Sequence, residues 1–310
     1  MSKTAVILPA YNEELTIKDT ILSFYKELPE ALIAVVDNNS NDKTSQIAKD
    51  TFKEYNINGK LLFEKRQGKA NAVRTAFRQI EAEIYLMSDA DMTYPASEAH
   101  KLIEQVEKHN CDMVVGDRHS SGAYEKENKR ALHNFGNNLV KNIVNNLFKS
   151  NLSDIMSGYR AFSRNFVKNY PILVEGFELE TDMTLHALDK KFLIKEISID
   201  YKNRPQGSYS KLNTMNDGMR VIFMIFKIFR HYKPLMFFGY LSLVFAVFSL
   251  LCGIPVINDW FSYKYIYHVP LAILATGLGL ISIIFLSLGF ILDSIAYQSR
   301  LEFEHRVNNS

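Results

Sequence analysis

The sequence predicts an α/β fold, with a mainly parallel sheet covered by helices on both faces. An amphipathic interfacial helix and two membrane-spanning helices should follow it. Three observations carry this expectation. Short apolar runs alternate with helix-period segments through the polar first part of the chain. Acidic and polar residues recur directly after those runs. Two long uncharged stretches lie near the end of the 310 residues.

The elements follow in order. "TAVILP" at 4–9 reads as a strand, and Ile17, Ile21, Phe24 and Leu28 then recur at helical spacing. "ALIAVVD" at 31–37 and "KTSQIAKDTFKEY" at 43–55 form the next pair. "KLLFEK" with "AVRTAFRQI", and "IYLMSD" with a helix over about 97–108, repeat the unit before a further strand, "DMVVGD". In such sheets ligands gather at the carboxyl ends of strands. Asp37, Asp89, Asp91, Asp117 and Arg118 fall there. Residues i and i+2 of a strand share a side, so the two carboxylates of "SDADMTYP" can address one site.

Residues 1–213 form the expected α/β domain. Over 214–233, Met219, Ile222, Phe223, Phe226 and Phe229 share one broad face while Arg220, Lys227 and Arg230 lie elsewhere, the pattern of a helix in a membrane interface. Residues 234–310 should form a two-span anchor with a cytoplasmic tail. Leu235–Ile257 and Val269–Leu292 carry no charge and would each extend about 35 Å, against a hydrocarbon core of about 30 Å. Lys227, Arg230, His231 and Lys233 precede the first span, and Arg300 and Arg306 follow the second. The connecting "NDWFSYKYIYH" has a single lysine, Lys264. Cationic flanks stay inside, so both termini and the α/β domain should be cytoplasmic, with the protein in the cytoplasmic membrane. Trp260, Tyr263, Tyr265 and Tyr267 suit an interfacial belt. Gly277, Gly279 and Gly289 could pack copies into a homo-oligomer. A net charge of +2 gives no reason to expect a nucleic-acid partner. Cys111 and Cys252 make no disulfide framework.

Asp-X-Asp after a strand suits a hard divalent cation, Mg2+ or Mn2+, which takes oxygen ligands and shares its shell with phosphates. The motif alone is weak. In order along the chain stand "LPAYNEE", "VVDNNSNDKT", "RQGKANAVRTAF" and "SDADMTYP", then "GDR", "SDIMSGYRAF" and "RPQGSYSK". This ordered set resembles the family 2 glycosyltransferases of GT-A, Rossmann-like fold, in their polyprenyl-phosphate branch. That branch holds dolichol-phosphate mannosyltransferases and bactoprenol glucosyltransferases.

The resemblance implies inverting transfer of a sugar from UDP-glucose or UDP-N-acetylglucosamine to undecaprenyl phosphate, for modification of a cell-envelope glycan. It implies that Pro9, Tyr11, Glu13, Asp37, Gly68, Lys69, Asn71, Ser208 and Lys211 bind the donor, with Asp89. Asp89 and Asp91 would hold the metal. Arg118, Arg130 and Asn134 would grip the lipid phosphate. Asp89, Asp91, Arg118 and Arg204 would form the catalytic set, with Gly207 as hinge of a closing loop. Met92 and Thr93 depart from patterns with Gln two residues after the second aspartate, leaving the third metal ligand open between the Thr93 hydroxyl and water. The bland alternative for Asp37 and Glu13 is a helix cap. Glu178, Glu180 and Asp182 suit a helix N-terminus as well as an ordering role in the site. Two other functions fit the same motifs: transfer to a glycan hydroxyl, and transfer of mannose from GDP-mannose.

Overall fold

A computed structural model describes residues 2–119, 131–174, 178–202 and 217–308, with backbone alone at 131–135, 217–224 and 308. Among these residues the strands are β1 (Ser2–Ala10), β2 (Leu32–Asp37), β3 (Gly59–Phe63), β4 (Ala82–Met87), β5 (Met113–Asp117), β6 (Arg160–Ser163) and β7 (Ile194–Ser198). They form one sheet in the order β3-β2-β1-β4-β6-β5-β7. All pairings are parallel except those of β6, which runs antiparallel to β4 and β5. The helices of this part are α1 (Ile17–Glu27), α2 (Thr44–Glu54), α3 (Lys69–Gln79), α4 (Ala99–His109), α5 (Ala131–Phe148), α6 (Arg164–Asn169) and α7 (Leu179–Asp189).

Two apolar layers sandwich the sheet, and strand alternation divides them. Val6, Leu8, Ile33 and Val35 face Ile21 and Phe24 of α1, Phe52 of α2 and Leu102 of α4. Ala5, Ile7, Ala34 and Val36 face Val73 and Phe77 of α3, Phe166 of α6 and Met183 of α7. Strands covered on both faces read as continuous apolar runs, which is why "AVILPA" and "LIAVVD" were visible as strands. The four-residue β6 was not expected from the sequence. It inserts between β4 and β5, so the carboxyl ends of those strands stand one strand apart, with the loop entering β6 between them.

The chain divides into two compact units, Met1–Gly218 and Met219–Ser310. In the second, α8 (Asp217–Tyr232) leads into α9 (Pro234–Tyr263) and α10 (Val269–Asn308). The expected boundary at 213 lies outside the described residues. In α8, Ile228 is buried and Phe226 exposed, with its ring edge-on to Phe237 at 4.8 Å.

Both α9 and α10 are long and apolar enough to cross a membrane, and 6% of each apolar window is buried. Ser242 Oγ and Ser282 Oγ meet at 3.0 Å, and Ser249 donates to the carbonyl of Ala275 at 2.7 Å. Gly279 stands against Ser249 and Gly289 against Phe238 and Leu235, whereas a Cβ at Gly277 would meet nothing within 4 Å. Two of the three glycines expected between copies thus serve the α9–α10 contact. Helix α9 also runs past the expected end of the span. Asp259 accepts from the backbone N–H groups of Tyr267 (2.9 Å) and His268 (3.1 Å), and so caps the start of α10. Arg300 donates to the carbonyl of Tyr232, the last residue of α8, at 3.3 Å, a favourable place for a cation.

Candidate active site

The site forms where β1, β2 and β4 end. The β1–α1 and β2–α2 loops are fastened together. The backbone N–H of Asn12 donates to Ser40 Oγ at 2.9 Å, that of Asn41 to Asn12 Oδ1 at 2.8 Å, and that of Glu13 to Thr44 Oγ1 at 2.8 Å. Asn12 sits at φ 53°, one of the few left-handed positions Asn accepts readily. Asp37, 3% exposed, takes the N–H of Ser40 on one oxygen and the hydroxyl of Ser45 on the other. It therefore shapes the β2–α2 turn rather than capping α2, which begins after Lys43. Pro9 is half-buried near the end of β1.

Asn38, which the motif reading did not single out, organises the next loop. Its Oδ1 accepts from Gly68 N at 2.7 Å, and its Nδ2 donates to the carbonyls of Arg66 (2.7 Å) and Glu64 (3.3 Å). Gly68 stands at φ 127°, a conformation that favours glycine, and starts α3 with no side-chain cap. Gln67, not among the residues expected to bind the donor, donates to the hydroxyl of Tyr11 at 3.2 Å and so ties this loop to the end of β1. Asn71 is turned inward. Its amide serves the carbonyl of Gln67 and the guanidinium of Arg74, so its contribution is to the loop. Beneath the loop, Glu64 accepts from Arg66 and Thr75. The Arg66 hydrogen bonds, opposed by burial and aided by Thr75, pull its carboxyl down to about 2.

The aspartate pair lies beyond the end of β4, in a turn, so strand alternation does not align it. Three contacts do. The hydroxyls of Thr16 and Thr20 both donate to the carbonyl of Ala90, at 2.8 and 3.2 Å. Met92 holds φ 63°. Asp91, 3% exposed, accepts on Oδ1 from the N–H (3.1 Å) and hydroxyl (2.6 Å) of Thr93. The Thr93 hydroxyl, expected as a possible third metal ligand, here orients Asp91.

Lys69, the first residue of α3, sends its ammonium to Asp89 Oδ1 and Glu180 Oε1, each at 2.5 Å. Burial opposes its charge, but Asp89 and Glu180 more than offset this and hold the lysine protonated. Of the three acids at the start of α7, Glu180 therefore enters the site. Asp182 receives the hydroxyl of Tyr170 at 2.7 Å, and Glu178 is exposed. Gly158 closes the cluster from below. A Cβ there would stand 2.9 Å from Lys69 Nζ and 3.0 Å from Asp89 Oδ2. The Gly158 N–H donates to the hydroxyl of Tyr94 at 2.9 Å, and Arg160, fully buried, holds the carbonyls of Ile155 and Ser157.

Arg118 lies at the end of β5. Its fork is bidentate on Asp154, at 2.7 and 2.9 Å, and it lines a polar recess with His119, Asn137, Lys141 and Ser153. Burial works against ionised Asp154, but the adjoining guanidinium outweighs it and lowers the carboxyl. Arg130, Arg204, Gly207, Ser208 and Lys211 lie outside the described residues. Asn134 falls on α5 where the backbone alone is described.

The donor set suits a hard divalent cation. Its ligands would be carboxylate oxygens. Asp89 meets Lys69 through Oδ1, and among the described residues its Oδ2 accepts no hydrogen bond. The missing Cβ of Gly158 keeps the space beside that oxygen open. Among the described residues no group of three or more His, Cys, Asp or Glu side chains could cage a metal.

Comparison with known proteins agrees with this architecture. The profile of glycosyl transferase family 2 matches residues 5–170. Glycosyltransferase AglJ of Haloferax volcanii is 28% identical over 294 residues, 94% of this chain and 92% of its own. A dolichol-phosphate mannosyltransferase of Pyrococcus furiosus is 26% identical over 235 residues, 73% of this chain and 64% of its own. Glucosyl-3-phosphoglycerate synthase of Mycobacterium tuberculosis, solved with Mn2+ and UDP-glucose, superposes with a TM-score of 0.52 at 19% identity, over 66% of this chain and 73% of that one. This last likeness is one of fold. With its profile matched over more than half the length and a relative aligned along nearly all of it, the chain belongs to glycosyl transferase family 2.

Proposed function

We propose that this glycosyltransferase is anchored in the cytoplasmic membrane and transfers a sugar from a nucleotide diphosphate donor to a polyprenyl monophosphate. The donor would be UDP-glucose or UDP-N-acetylglucosamine and the acceptor undecaprenyl phosphate, with inversion at the anomeric carbon. The observation that carries the choice of acceptor is the engagement of Glu180. Its carboxylate is bound to the Lys69 ammonium and Asp182 to a tyrosine hydroxyl, so neither is poised to deprotonate a sugar hydroxyl. A phosphate monoester needs no such base, because its second pKa near 6 leaves an anionic oxygen at neutral pH.

Asp89 and Asp91 would hold Mg2+ or Mn2+. When bound, that cation would neutralise charge on the departing diphosphate. The uncapped N-terminus of α3 supplies fixed positive potential for the same group, and the Lys69 ammonium adds a positive charge. Thr93, Thr16 and Thr20 keep the aspartate turn in one geometry. Tyr11 and Gln67 border the nucleotide. Arg118, supported by Asp154, would lie on the acceptor side with Arg130 and Asn134, and Arg204, Ser208 and Lys211 would close over the donor. Catalysis is then alignment and electrostatic stabilisation. Helices α9 and α10 would place both termini in the cytoplasm, following the cationic flanks.

The test is incubation of the full chain in membranes containing undecaprenyl phosphate with labelled UDP-glucose, UDP-N-acetylglucosamine or GDP-mannose, with and without Mn2+ or Mg2+. Label should enter a mild-acid-labile lipid with one of the two UDP-sugars only, and only with metal. Labelling from GDP-mannose alone would select the mannosyl reading, which the Pyrococcus relative supports. Transfer to a glycan hydroxyl, with none to lipid phosphate, would refute the proposed acceptor.

A further inference from the structure

Lys69 occupies an unusual position for a donor-binding lysine. Its ammonium rests between Asp89 and Glu180, with the side chain 12% exposed. Asp89 is one of two carboxylates assigned to the divalent cation, and an ammonium on Oδ1 competes with that cation for the same group. A cation on Oδ2 and an ammonium on Oδ1 of one carboxylate would lie close enough to repel each other strongly. The backbone of Lys69 is fixed by the start of α3 and by Gly68, so any relief comes from the flexible stem. Glu180 is 5% exposed at the start of α7 and offers a fixed second anchor.

We infer that Lys69 is a transferable countercharge held by Glu180. At rest it takes the place of a metal at Asp89. As cation and donor arrive, it pivots about Glu180 from Asp89 to the incoming diphosphate. Glu180 is thus a positioning residue acting through Lys69, and Lys69 keeps Asp89 from standing as an uncompensated charge. This inference rests on the nucleotide-sugar reading above and adds an order of events to it. It couples the two ligands: the donor gives the displaced ammonium a new partner, so each ligand promotes binding of the other.

Mn2+ binding to the full chain in detergent, read by electron paramagnetic resonance with and without UDP, tests this. Without nucleotide, Lys69→Met should bind Mn2+ about tenfold more tightly than wild type, because the competing charge is gone. With UDP present that advantage should disappear, because the variant has lost the diphosphate contact. Lys69→Arg, which keeps the charge, should bind Mn2+ as wild type does. Glu180→Gln should weaken Mn2+ binding about threefold, as Lys69 moves wholly onto Asp89. In the Lys69→Met background the same change should have less than about a 1.5-fold effect. Circular dichroism melts verify that each variant is folded. Additive effects in the double variant, or a folded Lys69→Met protein that binds Mn2+ no more tightly while wild type binds Mn2+ and transfers sugar, would overturn this inference alone. Wild-type protein that binds no Mn2+ would overturn both this and the proposed function.

Discussion

Gly158→Ala is the sharpest single perturbation of the site. The added Cβ would stand 2.9 Å from Lys69 Nζ, 3.0 Å from Asp89 Oδ2 and 3.2 Å from Asp89 Oδ1. Ordinary contacts of carbon begin near about 3.5 Å, so the ion pair must move by roughly half an ångström. Both threatened groups are side-chain ends and can yield. Lys69, however, is also tied to Glu180, and the Asp89 turn is tied to α1 through Ala90. Overpacking of this kind costs about 1–3 kcal/mol of stability. The larger effect falls on turnover. Displacing aligned groups by a fraction of an ångström to one ångström costs up to about a hundredfold in rate, or about 2.7 kcal/mol of activation energy. The assay is initial-rate transfer of labelled sugar into lipid, beside a thermal melt of the same preparation. The expected result is a folded protein with kcat reduced about thirtyfold to a hundredfold. A kcat within about twofold of wild type would refute the claim that this glycine sets the geometry of the cluster.

Asp91→Ala should abolish metal-dependent transfer while the protein stays folded and membrane-bound, as checked by flotation with vesicles; retained transfer would remove Asp91 from the metal site. Arg160→Met leaves the carbonyls of Ile155 and Ser157 without their buried donor, and should cost about 3 kcal/mol in denaturant unfolding of the full chain. Glu64 has its folded pKa lowered to about 2, so its contribution to stability is complete above the ordinary carboxylate value and fades as pH falls from about 4.5 towards 2. Glu64→Gln should therefore flatten the dependence of melting temperature on pH across that window.

The first half of the sheet could be read from the sequence because each strand there is covered on both faces and is followed at once by its own crossover helix. In the second half only β5 could, as the apolar run "DMVVGD"; β6 and β7 could not. β6 pairs with β4 across more than seventy residues, and its first residue, Arg160, is a fully buried cation in a short run. No apolar period marks such a strand. The site motifs were equally uneven. "SDADMTYP" announced carboxylates at a strand end, yet their orientation is set by Thr16 and Thr20, whose hydroxyls hold Ala90 from 74 and 70 residues away in sequence. Asn38 left only a faint trace, an amide directly after a strand, where the neighbouring Asp37 carries the stronger chemical signal. Three acids at the start of α7 were indistinguishable by composition. Helical phase separates them, since Glu180 and Asp182 point in different directions from one turn and find different partners.

The bond from Arg300 to the last residue of α8 makes the length of α10 consequential. A helix turns about 100° and rises about 1.5 Å with each residue. One residue added or removed between the apolar stretch and Arg300 would swing the guanidinium away from the Tyr232 carbonyl, and only steps of about a full turn would bring it back in azimuth. The tail thus behaves as a vernier, and the spacing of its residues sets where the amphipathic segment is clasped.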